Sequence, residues 1–233
     1  MGNAFGHGLL WYGVFLFSVT LHEASHAKAA LSGGDPTAYQ AGQVTLDPIP
    51  HIRRSPVGMI VLPILSVLLF GFPMGFASAP YDPLWADRYP RRAGWMALAG
   101  PLANFVLLVV AGLGIHLGIA LEGFSRPDSA DYLHVMESAA SGPWPALGLI
   151  LSMLFSLNLI LLLFNLLPVP PLDGMSVATL FLKEDLARRV RAAASSPAFA
   201  WLGILVAWRL FPILFRPVFV LALNTLYPGA SFE

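Results

Sequence analysis

Cysteine is absent from this sequence of 233 residues, and charged residues make up only 11% of it. Without cysteine there can be no disulfide bonds and no thiolate ligands, so any metal site must use histidine and carboxylate groups. Neither sign of charge is in excess, because 13 basic residues balance 13 acidic ones. A chain without a basic surplus has no feature that attracts nucleic acid, and we expect no nucleic-acid partner.

Apolar residues, in contrast, are abundant: they form 57% of the chain, and the mean hydropathy is +0.70. A soluble domain of this length could not hide so much apolar surface, so the composition predicts an integral membrane protein whose surroundings are a lipid bilayer. The first residues carry no basic segment and no clear cleavage site, and we therefore do not expect a removable signal peptide.

Four apolar runs are long enough to be membrane spans. They cover residues 8–31, 95–121, 146–167 and 199–227. The first would be about 36 Å long as a helix, enough to cross the hydrocarbon layer. The last is interrupted by Arg209, Pro212, Arg216 and Pro217. It could be one broken span or a span followed by a surface helix, and the role of its two arginines stays open.

The region between the first two runs has a different pattern. Residues 43–46, Gln-Val-Thr-Leu, are strand-like and lie among prolines and a glycine, which predicts short strands and turns. Residues 57–77 are apolar but are interrupted by Pro63, Gly71 and Pro73. This segment either crosses the membrane or enters it and returns.

The distribution of charge favours the returning path. Basic loops contain Arg53, Arg91 and Arg189, and basic loops of membrane proteins lie in the cytoplasm, whereas the loop 122–145 is acidic and should lie outside. A full crossing by residues 57–77 would place Arg53 and Arg91 on opposite faces, but a hairpin keeps them together. The sequence thus predicts one all-α polytopic membrane domain over residues 1–233. It has about four transmembrane helices and a re-entrant hairpin with short β-strands.

Residues 22–26, near the end of the first run, read His-Glu-Ala-Ser-His. Residues four apart share one face of a helix, so His22 and His26 can bind the same metal ion. Glu23 lies beside them as a carboxylate that is not a ligand, and it could take a proton from a metal-bound water. Ionisable residues inside a span are costly and usually functional, which favours a metal site over a structural polar cluster.

A catalytic zinc site needs a third protein ligand, and Asp173 is the best candidate. It follows the run 146–167 after prolines that cannot continue an ordinary helix. His51 remains possible, whereas His7, His116 and His134 lie on the wrong side. Since His26 and Asp173 both lie at the C-terminal ends of their runs, the two helices must be parallel, which again requires a hairpin between residues 57 and 77.

Two motifs together resemble the signatures of the site-2 protease family of intramembrane zinc metalloproteases. They are the His-Glu-Ala-Ser-His run at 22–26 and the run Asn-Leu-Leu-Pro-Val-Pro-Pro-Leu-Asp-Gly at 165–174. Residues 99–104, Ala-Gly-Pro-Leu-Ala-Asn, and the segments 34–38 and 43–48 match as well. The likeness covers roughly residues 9–182 and is to the compact prokaryotic branch, which lacks an added PDZ or CBS domain.

This resemblance implies that His22, His26 and Asp173 bind Zn²⁺, that Glu23 is the general base and that Asn165 helps to hold the substrate. The substrate would be a transmembrane protein cleaved in or beside its membrane segment. The protein would lie in a prokaryotic cell (inner) membrane with its active site nearer the cytoplasmic face. The sequence departs from the branch at residues 51–54, His-Ile-Arg-Arg, and at residues 77–80, Ala-Ser-Ala-Pro, which affects substrate choice more than zinc chemistry.

Two other classes stay open, a zinc-binding membrane scaffold without activity and a metal transporter. The presence of Glu23 argues against the scaffold, and a transporter would need further ligand clusters across the bilayer. Gly100 and Gly112 are most simply helix-packing positions, and Asn104 is most simply an interhelical hydrogen-bonding residue. The substrate, the trigger of cleavage and the oligomeric state cannot be read from the sequence.

Overall fold

A computed structural model describes residues 2–138 and 141–232 of the chain. Four long helices form most of it: α1 (Gly2–Ser32), α6 (Pro90–Ala120), α7 (Trp144–Asn165) and α10 (Pro197–Leu226). The short helices are α2 (Thr37–Gln40), α3 (Pro48–Arg54), α4 (Leu62–Phe70), α5 (Pro83–Arg88), α8 (Asp173–Ala178) and α9 (Glu184–Ala194). A π-helical turn, Val57–Val61, leads into α4, and a 3₁₀ turn, Thr179–Phe181, follows α8.

Three of the described helices, α6, α7 and α10, are long and apolar enough to cross a membrane. A fourth candidate is the pair Pro48–Arg54 and Val57–Phe70, whose two parts are bent by 113°. Helix α1 is as long as the others, but its second half carries His22, Glu23 and His26, which lower its hydropathy. The chain is therefore an integral membrane protein of the all-α class, as the sequence predicts.

Two apolar clusters hold the long helices together. In the first, Trp11 and Phe15 of α1 pack with Met153 and Leu157 of α7 and with Met59 of the π-helical turn. The second joins α6, α7 and α10 through residues that include Ala111, Ile115, Phe155, Phe219 and Leu226. As a result, α6 and α7 lie at the centre, with α1 on one side and α10 on the other.

The hairpin over residues 57–77 is confirmed. Helix α4 ends at Phe70 and is capped by Gly71, whose φ of +73° is the left-handed conformation that glycine adopts without strain. The chain then returns in an extended form, and the amide of Phe76 donates to the carbonyl of Gly58 at 3.1 Å. At the base of the hairpin the Arg54 side chain donates to the carbonyl of Ser78 at 2.9 Å. The segment therefore begins and ends at the same place.

The short strands expected within residues 37–54 are a wrong prediction, because this region contains α2 and α3 instead. Helix α3 has Pro48 in its first turn, and the Asp47 carboxylate accepts from the amide of Ile49 at 2.9 Å. Residues 43–46 lie between these helices as a bent segment, because no strand among the described residues pairs with them. The described strands lie in the loop 122–145, where Phe124–Ser125 pairs with Glu137–Ser138.

The last apolar run is one continuous helix, α10, despite Pro212 and Pro217 inside it. The run is therefore one helix and not a span followed by a separate surface helix. Arg209 and Arg216 are both exposed on α10, and neither forms a salt bridge within the described part of the chain. Residues 173–194, between α7 and α10, form α8, a 3₁₀ turn and α9 rather than one helix.

Candidate metal centre

Three ligand-type side chains meet where α1 faces the start of α8. The Nε2 atoms of His22 and His26 are 2.9 Å apart, and Asp173 Oδ2 lies 3.1 Å from the first and 3.2 Å from the second. Both imidazoles are buried, and the carboxylate is nearly so. Among residues 2–138 and 141–232, this is the single group of three or more such side chains that could hold a metal ion.

Helix α1 presents both histidines without a break, because residues four apart project from the same face. Their ring centroids are 4.6 Å apart and the rings are nearly perpendicular. The face that carries them is covered by α6, whose Gly100 lies against both imidazoles. The two ligands therefore lie inside the helix bundle rather than at the lipid surface.

Asp173 reaches the histidines because the chain reverses after α7. That helix ends at Asn165, and residues 166–172 form turns before Asp173 begins α8. Gly174 lies so close to the Leu166 carbonyl that a Cβ there would be 2.3 Å from its oxygen. Gly203 of α10 lies equally tightly on the backbone of Pro170. The carboxylate is thus held by a compact turn that is packed from two sides.

The orientation of His26 is fixed by a backbone group of α6. Its Nδ1 atom is 2.7 Å from the carbonyl oxygen of Met96. A carbonyl can only accept, so Nδ1 carries the proton and donates it. The other ring nitrogen, Nε2, faces His22 and Asp173 with its lone pair, which is the tautomer that a metal ligand requires.

His22 is oriented by a side chain. Its Nδ1 atom lies 2.5 Å from Asn104 Oδ1, and both residues are buried. Metal-binding histidines commonly donate their second nitrogen to an oxygen in this way. Both histidines of α1 are therefore supported by α6, one through a carbonyl and one through an amide.

Gly100 occupies the position on α6 that faces the two histidines. A Cβ at this residue would lie 2.3 Å from His26 Nε2 and 2.5 Å from His22 Nε2. Both distances are far below van der Waals contact, so any other residue would push into the space between the two ligand atoms. The glycine keeps open the volume where the three ligand atoms converge.

The donor set and its dimensions fit one metal ion that prefers nitrogen and oxygen ligands. Ligand atoms about 2.0–2.2 Å from a tetrahedral ion are roughly 3.3 Å from one another. The separations of 2.9, 3.1 and 3.2 Å here are close to that value. Two histidines and one carboxylate leave a fourth position for water, the arrangement of catalytic rather than structural zinc sites.

Glu23 is buried beside this cluster, with 5% of its surface exposed. Its side chain forms no hydrogen bond and no salt bridge with the residues that the structure describes. Its oxygens are not among the fully enclosed polar atoms that lack a partner, so the carboxylate keeps some contact with accessible space. A carboxylate in such a position is common at functional sites.

Comparison with known proteins gives relatives of one kind. The chain is 34% identical over 164 residues to "Putative zinc metalloprotease YwhC" of Bacillus subtilis, which is 70% of this chain and 64% of that protein. It is 30% identical to "Putative zinc metalloprotease Rip2" of Mycolicibacterium smegmatis, over 82% of this chain and 62% of that one. It is also 30% identical to the protein of the same name from Mycobacterium tuberculosis, over 82% of this chain and 63% of that protein.

The chain is a homologue of these metalloproteases. It spans less than two thirds of the length of each of them. No family model matches the sequence, and no solved structure does either. The printed names of these relatives agree with the zinc metalloprotease resemblance of the motifs at 22–26 and 165–174.

Asn165, the remaining residue predicted for the site, is not joined to the metal cluster of this metalloprotease homologue. It is the last residue of α7 and is partly buried, and its side chain forms no hydrogen bond within the described residues. Its role in holding substrate stays a prediction.

His51 is not part of the cluster: it is buried in α3, and its Nε2 donates to the carbonyl of Thr45 at 3.1 Å.

Sequence reasoning gave Gly100 and Asn104 only structural roles, and the structure places both against the histidines. The signal was present, because these residues are four positions apart and therefore share one face of α6. What the sequence could not show is that this face, rather than the one with Gly112, is turned toward α1.

Proposed function

We propose that this chain is an intramembrane zinc metalloprotease that hydrolyses a peptide bond in or next to a transmembrane segment of a membrane protein. The observation that carries the proposal is the convergence of His22, His26 and Asp173 around Gly100, with the buried carboxylate of Glu23 beside them. Relatives named zinc metalloproteases over most of this chain support the same activity.

In this proposal, His22, His26 and Asp173 hold the zinc ion. Zinc bound there would act as a Lewis acid that makes a bound water acidic near neutral pH. Glu23 would act as the proton acceptor in the attack on the peptide bond and would later give the proton to the amine that leaves. Its largely buried position would limit the access of bulk water to that proton.

A cleft of about 410 Å³ lies on the side of α1 that carries Leu21, Ser25 and Lys28, and we take it as the path of the substrate toward the metal centre. Its lining comes from one side of α1 and from residues 44–46. The backbone amides of Val44 and Leu46 form no hydrogen bond within the described residues. An unwound substrate segment could pair with this backbone as an added strand, which would expose its peptide bond to the metal centre.

The proposed position is a prokaryotic cell membrane, with the metal centre nearer the cytoplasmic face. Two features support this orientation: the basic residues Arg53, Arg91 and Arg189 are exposed, and His26 lies in the last two turns of α1. The hairpin keeps its two ends together, which supports a cytoplasmic position for both Arg53 and Arg91.

Replacing Glu23 by glutamine tests this function. The amide cannot act as a base, so we expect loss of cleavage by at least about 100-fold with the zinc content retained. Membrane proteomes of cells that carry the native chain or Glu23→Gln would identify the proteins that accumulate uncleaved. Cleavage by the purified proteins, reconstituted in lipid, would then be compared directly.

Glu184→Gln, on the exposed surface of α9, is the matched control and should leave cleavage unchanged. Equal cleavage by the native chain and by Glu23→Gln would contradict the role of Glu23. If neither cleaves any membrane protein while both bind zinc, the scaffold without activity is the better interpretation.

A further inference from the structure

A pair of buried asparagines links the metal centre to helix α7. Asn104 of α6 and Asn158 of α7 are both fully buried, and Asn104 Nδ2 lies 2.8 Å from Asn158 Oδ1. Asn158 Nδ2 lies 2.8 Å from the Leu154 carbonyl and 3.0 Å from the Ser18 hydroxyl of α1. With the contact of Asn104 to His22, these bonds form one chain from α7 to a metal ligand.

The donor and the acceptor of each hydrogen bond in this series follow from the bond at its α7 end. The carbonyl of Leu154 can only accept, so the atom of Asn158 that faces it must be the amide nitrogen. Asn158 Oδ1 then faces Asn104 and accepts from its Nδ2. This leaves Asn104 Oδ1 to face His22 Nδ1 as an acceptor.

We propose that Asn158 is a positioning residue for the metal centre, acting through Asn104 on the tautomer of His22. Because Asn104 can only accept at this contact, the proton of His22 is held on Nδ1 and the lone pair of Nε2 is directed at the metal position. This inference rests on the proposed zinc site but not on proteolysis. Asn158 itself contacts neither the metal position nor the substrate path.

The two histidines are thus oriented by hydrogen-bond partners that differ in their freedom to rotate. His26 donates to the Met96 carbonyl, a backbone group that cannot rotate. His22 donates to a side-chain amide, which would bind the opposite tautomer equally well if it were turned over. Asn158 prevents this reversal, because a turned Asn104 would set its oxygen against the oxygen of Asn158.

Asn158→Leu removes the group that holds Asn104 in place. We expect zinc affinity, measured by chelator competition on the purified protein, to fall about 10- to 100-fold. The visible spectrum of the cobalt-substituted protein should change with it. Ser156→Ala is the matched control on the same helix, because Ser156 is fully buried and its hydroxyl has no partner among the described residues. It should keep native affinity and the native spectrum.

Adding Asn104→Asp to Asn158→Leu should restore zinc affinity to within about threefold of the native value. An aspartate accepts from His22 Nδ1 whichever way it is turned, so it needs no second asparagine. A residue that only joins helices would lower the unfolding temperature at unchanged zinc affinity. Native affinity in folded Asn158→Leu, or a folded double variant that stays weak, would overturn the proposal.

Nitrogen-15 NMR of the native protein gives a test that does not depend on any variant folding. In the metal-free protein at a pH where the histidines are neutral, His22 should carry its proton on Nδ1. A proton on Nε2 would overturn the proposal. If the zinc affinities and the tautomer agree with it while no membrane protein is cleaved, the proposed proteolysis alone fails.

Discussion

The two halves of helix α6 have very different neighbours. Residues 96–104 face α1 and supply a carbonyl to His26, an amide oxygen to His22 and, at Gly100, an empty Cβ position between the histidines. Residues 107–118 face α7 and α10 and bury Ala111 and Ile115 among aromatic and aliphatic side chains. One half contributes hydrogen bonds and space, and the other contributes packing.

This difference shows how one helix can serve two purposes along its length. A buried imidazole needs a partner for each nitrogen, so the first half places acceptors at fixed positions. Helices in lipid gain little from the hydrophobic effect and associate through close packing, which the second half provides. Changes in the first half should therefore affect metal binding, and changes in the second half should affect stability.

The largest effect is expected for Gly100→Ala. Its methyl group would lie 2.3 Å and 2.5 Å from the two Nε2 atoms, where the ligands converge. We expect zinc binding and cleavage to be lost, as measured by metal analysis of the purified protein and by the substrate assay. Gly112→Ala is the control on the same helix, since its Cβ would meet no atom closer than 3.5 Å. Zinc retention by Gly100→Ala would contradict the geometry of the centre.

A change in the second half of α6 should lower stability and leave zinc affinity unchanged. Ile115 is fully buried, so Ile115→Ala leaves a cavity and should lower the free energy of unfolding by about 2–4 kcal/mol. Its zinc affinity should stay within about twofold of native, because the polar half is untouched. Unfolding in mixed micelles and chelator competition measure the two quantities. A large drop in zinc affinity in folded Ile115→Ala would show that the two halves are not independent.

Much of the fold could be predicted from the sequence. Long apolar runs give the helices α6, α7 and α10, and the positions of Arg53 and Arg91 require the hairpin. The short strands were placed wrongly because residues 43–46 favour a strand only weakly. No strand among the described residues pairs with them, and they form a bent segment between α2 and α3. The pairing of Phe124–Ser125 with Glu137–Ser138 joins distant residues and leaves no periodic pattern to read.

The meeting of the three candidate ligands could be predicted because it depends on local rules. His22 and His26 are four apart on one helix, and Asp173 follows a segment rich in proline that must turn. The support for these ligands depends on the rotation of α6 relative to α1 and α7, which no local pattern specifies. For this reason the sequence indicates only a packing role for Gly100 and an interhelical hydrogen-bonding role for Asn104. No sequence pattern marks Asn158.

The most direct test of the metal centre is the zinc content of the Asp173→Ala variant, because Asp173 reaches the histidines from 151 positions away. After dialysis against a weak chelator, the native protein should keep about one zinc ion per chain, and Asp173→Ala should keep less than roughly a tenth of that. Asp131→Ala, in the exposed loop, should behave as the native protein does. Full zinc content in Asp173→Ala would contradict the proposed centre.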